Sequence, residues 1–184
     1  MAAPVRTKGG AGSWETGSSA APEVYPAPRK PVKTSRIIGG CGSFGPMYTV
    51  TETVYFCYGH RLLEYEGKCV HMHGHNGKVE IELEADALDR LGMVVDFSDI
   101  GEAMKSWIDA NLDHRMLLRE DDPLCEVLRK MGEPLYTMPV NPTAEAIARV
   151  IFDQAVGRKF PVREVRLWET ESSVASYSRE SRRA

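Results

Sequence analysis

The chain has 184 residues, 42% of them hydrophobic and 27% charged, with a formal net charge of −3. That is enough for one domain with a real core plus some dispensable sequence, and the mild acidity gives no reason to expect nucleic acid or an anionic membrane as a partner. No apolar run approaches the roughly 20 residues that span a bilayer.

Residues 1 to 45 are rich in Gly, Ala, Ser and Pro and carry no apolar period. Too little apolar surface is available there to offset the entropy of ordering, so an extension outside the folded part is expected. The stretch has no apolar h-region, and no secretory signal is expected. Its basic, small-residue-rich start leaves a transit peptide open, with Glu15 and Glu23 counting against one. Cys41, Cys57, Cys69 and Cys125 are scattered, with no CxxC pair, which reads as reduced thiols in a cytoplasmic protein.

From Tyr48 the texture changes. Tyr48, Val50, Val54 and Phe56 share one parity and Thr49, Thr51, Thr53 and Tyr55 the other, which predicts a strand. In Lys78–Glu84, Val79, Ile81 and Leu83 alternate with Glu80, Glu82 and Glu84, so one face is buried and one wet. The two strands are expected to pair antiparallel. A turn at Asp89–Gly92 leads through Met93–Phe97 into a helix, in which Ile100, Met104, Trp107, Ile108 and Asn111 follow helical spacing and Asp96 or Ser98 serves as N-cap. Residues 115 to 141 read as an irregular insertion with a short helix near Pro123–Met131. Thr143 caps a further helix with Glu145 in its first turn, Ile147, Val150 and Ile151 along its stripe, and Gly157 at its end. A last strand covers Glu164–Trp168, and the closing SYSRESRRA is expected to be a solvated polar tail. The order predicts an α+β domain: an antiparallel sheet with two helices on one face.

Only five histidines occur, and three lie in Cys69-Val-His-Met-His-Gly-His75. In an extended chain, residues two apart point the same way, so His73 and His75 can converge on one ion, with Gly74 letting the backbone lie close. Zinc suits imidazole nitrogen, and a catalytic zinc keeps three protein ligands and an open position. His60, at the end of the preceding strand, is placed to supply a third ligand across a hairpin. The same parity takes in His71 and Cys69, and spacing alone leaves open which of these bind.

The string CVHMHGHN, with Phe56-x-x-x-His60 before it and Gly92-Met-Val-Val-Asp-Phe97 after it, resembles the 6-pyruvoyl-tetrahydropterin synthase family. Leu112-Asp113-His114, Asn141-Pro-Thr-Ala-Glu145 and Trp168-Glu-Thr170 continue the pattern in order, so the resemblance spans about residues 46 to 177. It implies the tunnelling fold, in which subunits associate through their sheets into a barrel, usually a hexamer of stacked trimers. It implies that His60, His73 and His75 are the Zn²⁺ ligands and that His71 is a bystander. Cys69 matches the catalytic cysteine of the family, Asp113 and His114 its partner pair, and Glu169 its pterin anchor; Thr143 is a possible further binder. That chemistry is coherent: side-chain oxygens of a reduced pterin can chelate zinc, a cation favours a nearby thiolate, a carboxylate can orient His114, and Glu169 can take two parallel hydrogen bonds from the N–H edge of the ring.

Two activities compete. One converts 7,8-dihydroneopterin triphosphate to 6-carboxy-5,6,7,8-tetrahydropterin with loss of acetaldehyde and triphosphate, for queuosine and other deazapurines; the other stops at 6-pyruvoyl-tetrahydropterin. Three residues, Val70, His71 and Met72, separate Cys69 from His73-Gly-His75, and this short gap resembles the carboxy enzymes. A non-catalytic pterin- or purine-binding member is the reading from another class, against which Cys69, Asp113, His114 and Glu169 count together. Three positions depart from the pattern: Cys57 and Tyr58 replace small residues, with Tyr58 either narrowing the pocket or facing the core, and Gly77 stands where an aromatic often follows HGHN.

Overall fold

The computed structural model describes residues 47–179. The expected extension over residues 1–45 and the end of the polar tail lie outside them. Strands β1 (Tyr48–His60) and β2 (His73–Ala85) form a long antiparallel hairpin whose register runs from Tyr48 opposite Ala85 to His60 opposite His73. The expected parity holds: Val54, Phe56 and Tyr58 on β1, and Val79, Ile81 and Leu83 on β2, are buried. Helix α1 (Phe97–Asn111) follows the Asp89–Gly92 turn and is capped by Asp96, whose side chain accepts from the Ser98 N–H at 2.9 Å.

Strands β3 (Arg115–Arg119) and β4 (Leu135–Met138) flank the short helix α2 (Leu124–Met131). Helix α3 (Ala144–Gly157) leads into β5 (Val162–Thr170) and the edge strand β6 (Ser173–Ser178). The six strands lie in the order β4-β3-β1-β2-β5-β6. Ile100, Met104 and Ile108 of α1 and Ile147, Ile151 and Phe152 of α3 join one core cluster with the inward residues of β1, β2 and β5, so both helices cover the same face.

The α+β class and the helical face agree with the sequence reading, and three details correct it. Residues 115–141 are not irregular: β3 pairs parallel to β1 and β4 parallel to β3, so the sheet is mixed and not antiparallel throughout. With five and four residues, these strands are too short to display a period. The short helix expected there is present as α2. Ser176, Tyr177 and Ser178 belong to the edge strand β6; the two serines are exposed, and the Tyr177 ring meets Phe152 edge-on at 5.2 Å. Among the described residues no helix is long and apolar enough to cross a membrane, and Cys57, Cys69 and Cys125 are free thiols.

Two clasps fasten the turn after β1 to the β3–β4 side of the sheet. The Asn141 side chain both donates to the Leu63 carbonyl and accepts from the Leu63 N–H, each at 2.9 Å. Arg61 donates two hydrogen bonds, at 2.8 and 2.5 Å, to Asp122, which is only 3% exposed and also accepts from the Leu124 N–H. Burial pushes the Asp122 carboxyl up, but the bonds from Arg61 and Leu124 outweigh it and hold the group below the ordinary carboxylate range. Its contribution to stability is therefore full above the unfolded value of about 3.9 and lost as pH falls through the folded value. Arg61→Ala leaves a buried carboxylate unpaired and is expected to cost about 2–4 kcal/mol at pH 7 in urea unfolding. Its deficit should shrink as the pH is lowered below 4; an unchanged deficit there would contradict the assignment.

Candidate metal centre and active site

The core face of the sheet continues past the last apolar residues and turns polar at one end. On β1 the inward series Val54, Phe56, Tyr58 ends at His60; on β2, Ile81 and Val79 lead back through Gly77 to His75 and His73; on β5, Val165 and Leu167 lead to Glu169. Strand alternation thus carries three histidines and a carboxylate to one place.

The histidines are close. One ring nitrogen from each of His60, His73 and His75 lies within 4.8 Å of the other two. His60 Nδ1 is 2.7 Å from the Pro142 carbonyl and His73 Nδ1 is 2.8 Å from the His71 carbonyl. A carbonyl only accepts, so each Nδ1 carries the proton and each Nε2 presents a lone pair. Those two Nε2 atoms face each other at 3.0 Å. His75 Nε2 is buried with no hydrogen-bond partner. The facing pair, with the partnerless His75 Nε2 beside it and no donor between them, is a set of nitrogens that can hold a metal ion. Two imidazoles on one tetrahedral zinc, each bound at about 2.0–2.1 Å, bring their nitrogens about 3.3 Å apart, so the residues fit the ion expected. Burial also lowers the basicity of His60, favouring the neutral, metal-binding ring.

Glu169 faces this cluster. Its Oε1 lies 3.8 Å from His60 Nε2 and 4.0 Å from His75 Nε2, and it accepts a 2.9 Å hydrogen bond from the Tyr58 hydroxyl. Burial, then the Glu169 carboxylate, pushes the Tyr58 phenol well above its ordinary value, so the hydroxyl stays a donor. A hollow of about 380 Å³ opens here, lined by His60, His73, His75, Cys69, Thr143 and Glu169 among others. Cys69 reaches it by a route the parity argument did not contain: residues Lys68–Val70 form a 3-10 turn, not an extended run. His71 is exposed and contributes only its carbonyl. Thr143 borders the hollow while its hydroxyl caps α3, accepting from the Ala146 N–H at 3.3 Å.

Asp113 and His114 lie elsewhere. Asp113 accepts from the Cys57 N–H through Oδ1 and from His114 Nδ1 through Oδ2, both at 2.8 Å. Burial opposes ionisation of Asp113, but these two bonds outweigh it and hold its carboxyl below the usual range. His114 takes a left-handed backbone with φ 53° and donates its N–H to the Cys57 carbonyl. Its exposed ring lines a second hollow of about 310 Å³ with Cys57, Gly59, Gly74 and Asn76. A single chain therefore unites Asp113 with His114, and Cys69 with the three histidines, but not the two sets. His75 borders both hollows.

Sequence reasoning missed the Pro142 carbonyl, since a backbone acceptor leaves no residue-type signal. It also missed a second demand on Gly74. A Cβ there would lie 2.9 Å from the Tyr58 backbone carbonyl, so the glycine admits the neighbouring strand.

This geometry defines an α+β protein with a three-histidine centre at the ends of adjacent strands. The sequence profile of the 6-pyruvoyl tetrahydropterin synthase family matches residues 49–180, and the chain belongs to that family. Among its relatives, a Rickettsia felis protein named 6-carboxy-5,6,7,8-tetrahydropterin synthase is 37% identical over 131 residues, covering 67% of this chain and 95% of the relative. A Haemophilus influenzae protein of the same name is 30% identical over 139 residues, covering 71% and 99%. An uncharacterized Wolinella succinogenes protein of known structure superposes with a TM-score of 0.62 at 28% identity, covering 74% of this chain and all of that one. A Caenorhabditis elegans 6-pyruvoyl tetrahydropterin synthase shares the fold, with a TM-score of 0.56 at 23% identity over 74% of this chain and 98% of its own. The tunnelling fold implied by the motifs is thus the fold of this chain.

Gly74→Ala tests the local reading. The clash is with backbone, which cannot swing aside, so a loss of about 1–3 kcal/mol in denaturant stability is expected. A neutral substitution would show that β1 and β2 are not tightly apposed at this point.

Proposed function

We propose that this chain is a zinc-dependent 6-carboxy-5,6,7,8-tetrahydropterin synthase, a carbon–carbon lyase that converts 7,8-dihydroneopterin triphosphate to 6-carboxytetrahydropterin with loss of acetaldehyde and triphosphate. The observation that carries the reading is the convergence of one ring nitrogen from each of His60, His73 and His75, the first two unprotonated, in a hollow that also holds Cys69 and Glu169. The names of the curated relatives support the carboxy product, as does the three-residue gap between Cys69 and His73.

In this reading His60, His73 and His75 hold Zn²⁺, which polarises the hydroxyl oxygens of the substrate side chain when bound. Glu169 accepts two hydrogen bonds from the 2-amino-4-oxo edge of the pterin and fixes the ring, with Thr143 at the border of the same hollow. Cys69 moves a proton at the side-chain carbons. Asp113 holds His114 through its Nδ1–H, leaving Nε2 to exchange a second proton. Because the pair lies in the other hollow, a second copy of the chain must bring it to Cys69. That requirement supports a homo-oligomer; the family resemblance adds the sheet-to-sheet hexamer of two trimers, and we place the enzyme in the cytoplasm, acting on a small-molecule substrate.

The runner-up is the 6-pyruvoyl-tetrahydropterin synthase, a carbon–oxygen lyase, favoured by the structural likeness to enzymes of that name. Product analysis separates the two. Zinc-loaded protein incubated with 7,8-dihydroneopterin triphosphate is expected to release acetaldehyde and the 6-carboxy pterin, read by mass spectrometry. The 6-pyruvoyl product would move the assignment to the runner-up, and no turnover by zinc-replete protein would favour a binding-only member. Cys69→Ala is expected to keep its zinc and lose at least 100-fold in kcat; loss of zinc from that variant would make Cys69 a ligand.

A further inference from the structure

Tyr58 and Glu169 sit on strands that do not touch. β2 lies between β1 and β5, so a side chain on β1 reaches β5 only by crossing β2. Neighbouring strands are about 4.8 Å apart, which makes the crossing about 10 Å. Tyr58 makes it, and donates from its hydroxyl to Glu169 Oε1 at 2.9 Å. The position it passes over is Gly77. A Cβ on Gly77 would lie 3.0 Å from Tyr58 Cε1, 3.3 Å from Phe56 Cε1 and 3.4 Å from Leu167 Cδ1. Lys78 pairs with Trp168, and Gly77 and Glu169 are the next residues along each strand.

The Tyr58 ring is fixed on its other sides. It stacks on Phe56 with centroids 5.2 Å apart, meets His60 edge-on at 5.4 Å and leans on His75 at 5.8 Å. A ring so held has no room to shift away from a new side chain at position 77. Tyrosine at position 58 and glycine at position 77 are therefore coupled in space.

We propose that Tyr58 is a positioning residue for ligand recognition: through the gap left by Gly77 it holds the Glu169 carboxylate in one orientation beside the histidine cluster. The proposal rests on the reading of Glu169 as the group that binds the pterin edge. A carboxylate has about four lone-pair sites. Tyr58 occupies one of them on Oε1 and leaves both oxygens able to accept from a planar N–H edge. Without that bond the carboxylate is free to rotate about its terminal torsion, and binding must then stop that rotation. Tyr58 touches neither ligand nor reacting atoms in this role, so its loss acts on affinity more than on the chemical step.

The test compares zinc-loaded full-length wild type, Tyr58→Phe, Gly77→Ala and Glu169→Gln, with neopterin binding followed by the fluorescence of the pterin itself. Tyr58→Phe keeps the ring and should weaken neopterin about 10-fold and raise KM for 7,8-dihydroneopterin triphosphate alike. Its kcat should stay within about threefold and its zinc content at the wild-type level. Gly77→Ala should show the same loss of binding and a lowered Tm, and in a Tyr58→Ala background the same alanine at position 77 should cost less Tm, because the nearest obstacle is gone while Phe56 and Leu167 remain. Wild-type affinity in Tyr58→Phe alongside weakened Glu169→Gln would overturn the positioning role and leave Glu169 as the anchor. Wild-type affinity in both would remove the anchor itself, and the proposal with it. Tight neopterin binding by Gly77→Ala, or an equal Tm cost in both backgrounds, would show that the two positions are not coupled.

Discussion

Two lone pairs pointed at each other are a liability that a folded chain does not carry without a cation or a proton between them. His60 and His73 are forced into that arrangement because each commits its Nδ1–H to a carbonyl, one from Pro142 and one from His71. The facing Nε2 atoms at 3.0 Å follow directly, and the unpartnered Nε2 of His75 belongs to the same cluster. Much of the surrounding structure serves this constraint. The hairpin register sets His60 opposite His73. The Asn141 clasp holds the turn after β1 next to the Pro142 carbonyl. Thr143 starts α3 immediately beyond that carbonyl.

The site is divided by the sheet's own geometry. Inward positions of β1, β2 and β5 build the histidine and carboxylate cluster, and the outward Cys57 sits with Asn76 and His114 in the other hollow. The oligomeric reading has a concrete meaning in these terms: a proton-transfer pair and a thiol that one chain keeps apart require a second chain if they are to act on one substrate.

Much of the fold was legible because its main elements are long and strictly patterned. The Val79-Ile81-Leu83 alternation, the Asp96 cap and the Thr143 cap all appear where local chemistry puts them. β3 and β4 were not legible, since five and four residues display no period and their pairing is set by distant partners. β6 was hidden by its Ser-rich composition, as an edge strand needs little apolar content. Of the site, spacing suggested His73 and His75 with His60 across the hairpin, and motif resemblance narrowed the histidines to these three and added Glu169. The bridge from Tyr58 over Gly77 could not be read from either, because it links three strands whose adjacency only the sheet order reveals.

The most direct measurement is zinc K-edge X-ray absorption on the purified protein, with metal counted per chain. One zinc with three imidazole nitrogens at about 2.0–2.1 Å and no sulfur neighbour is the expected result. A sulfur scatterer at about 2.3 Å would place Cys69 on the metal, and a protein that takes up no zinc would contradict the centre altogether.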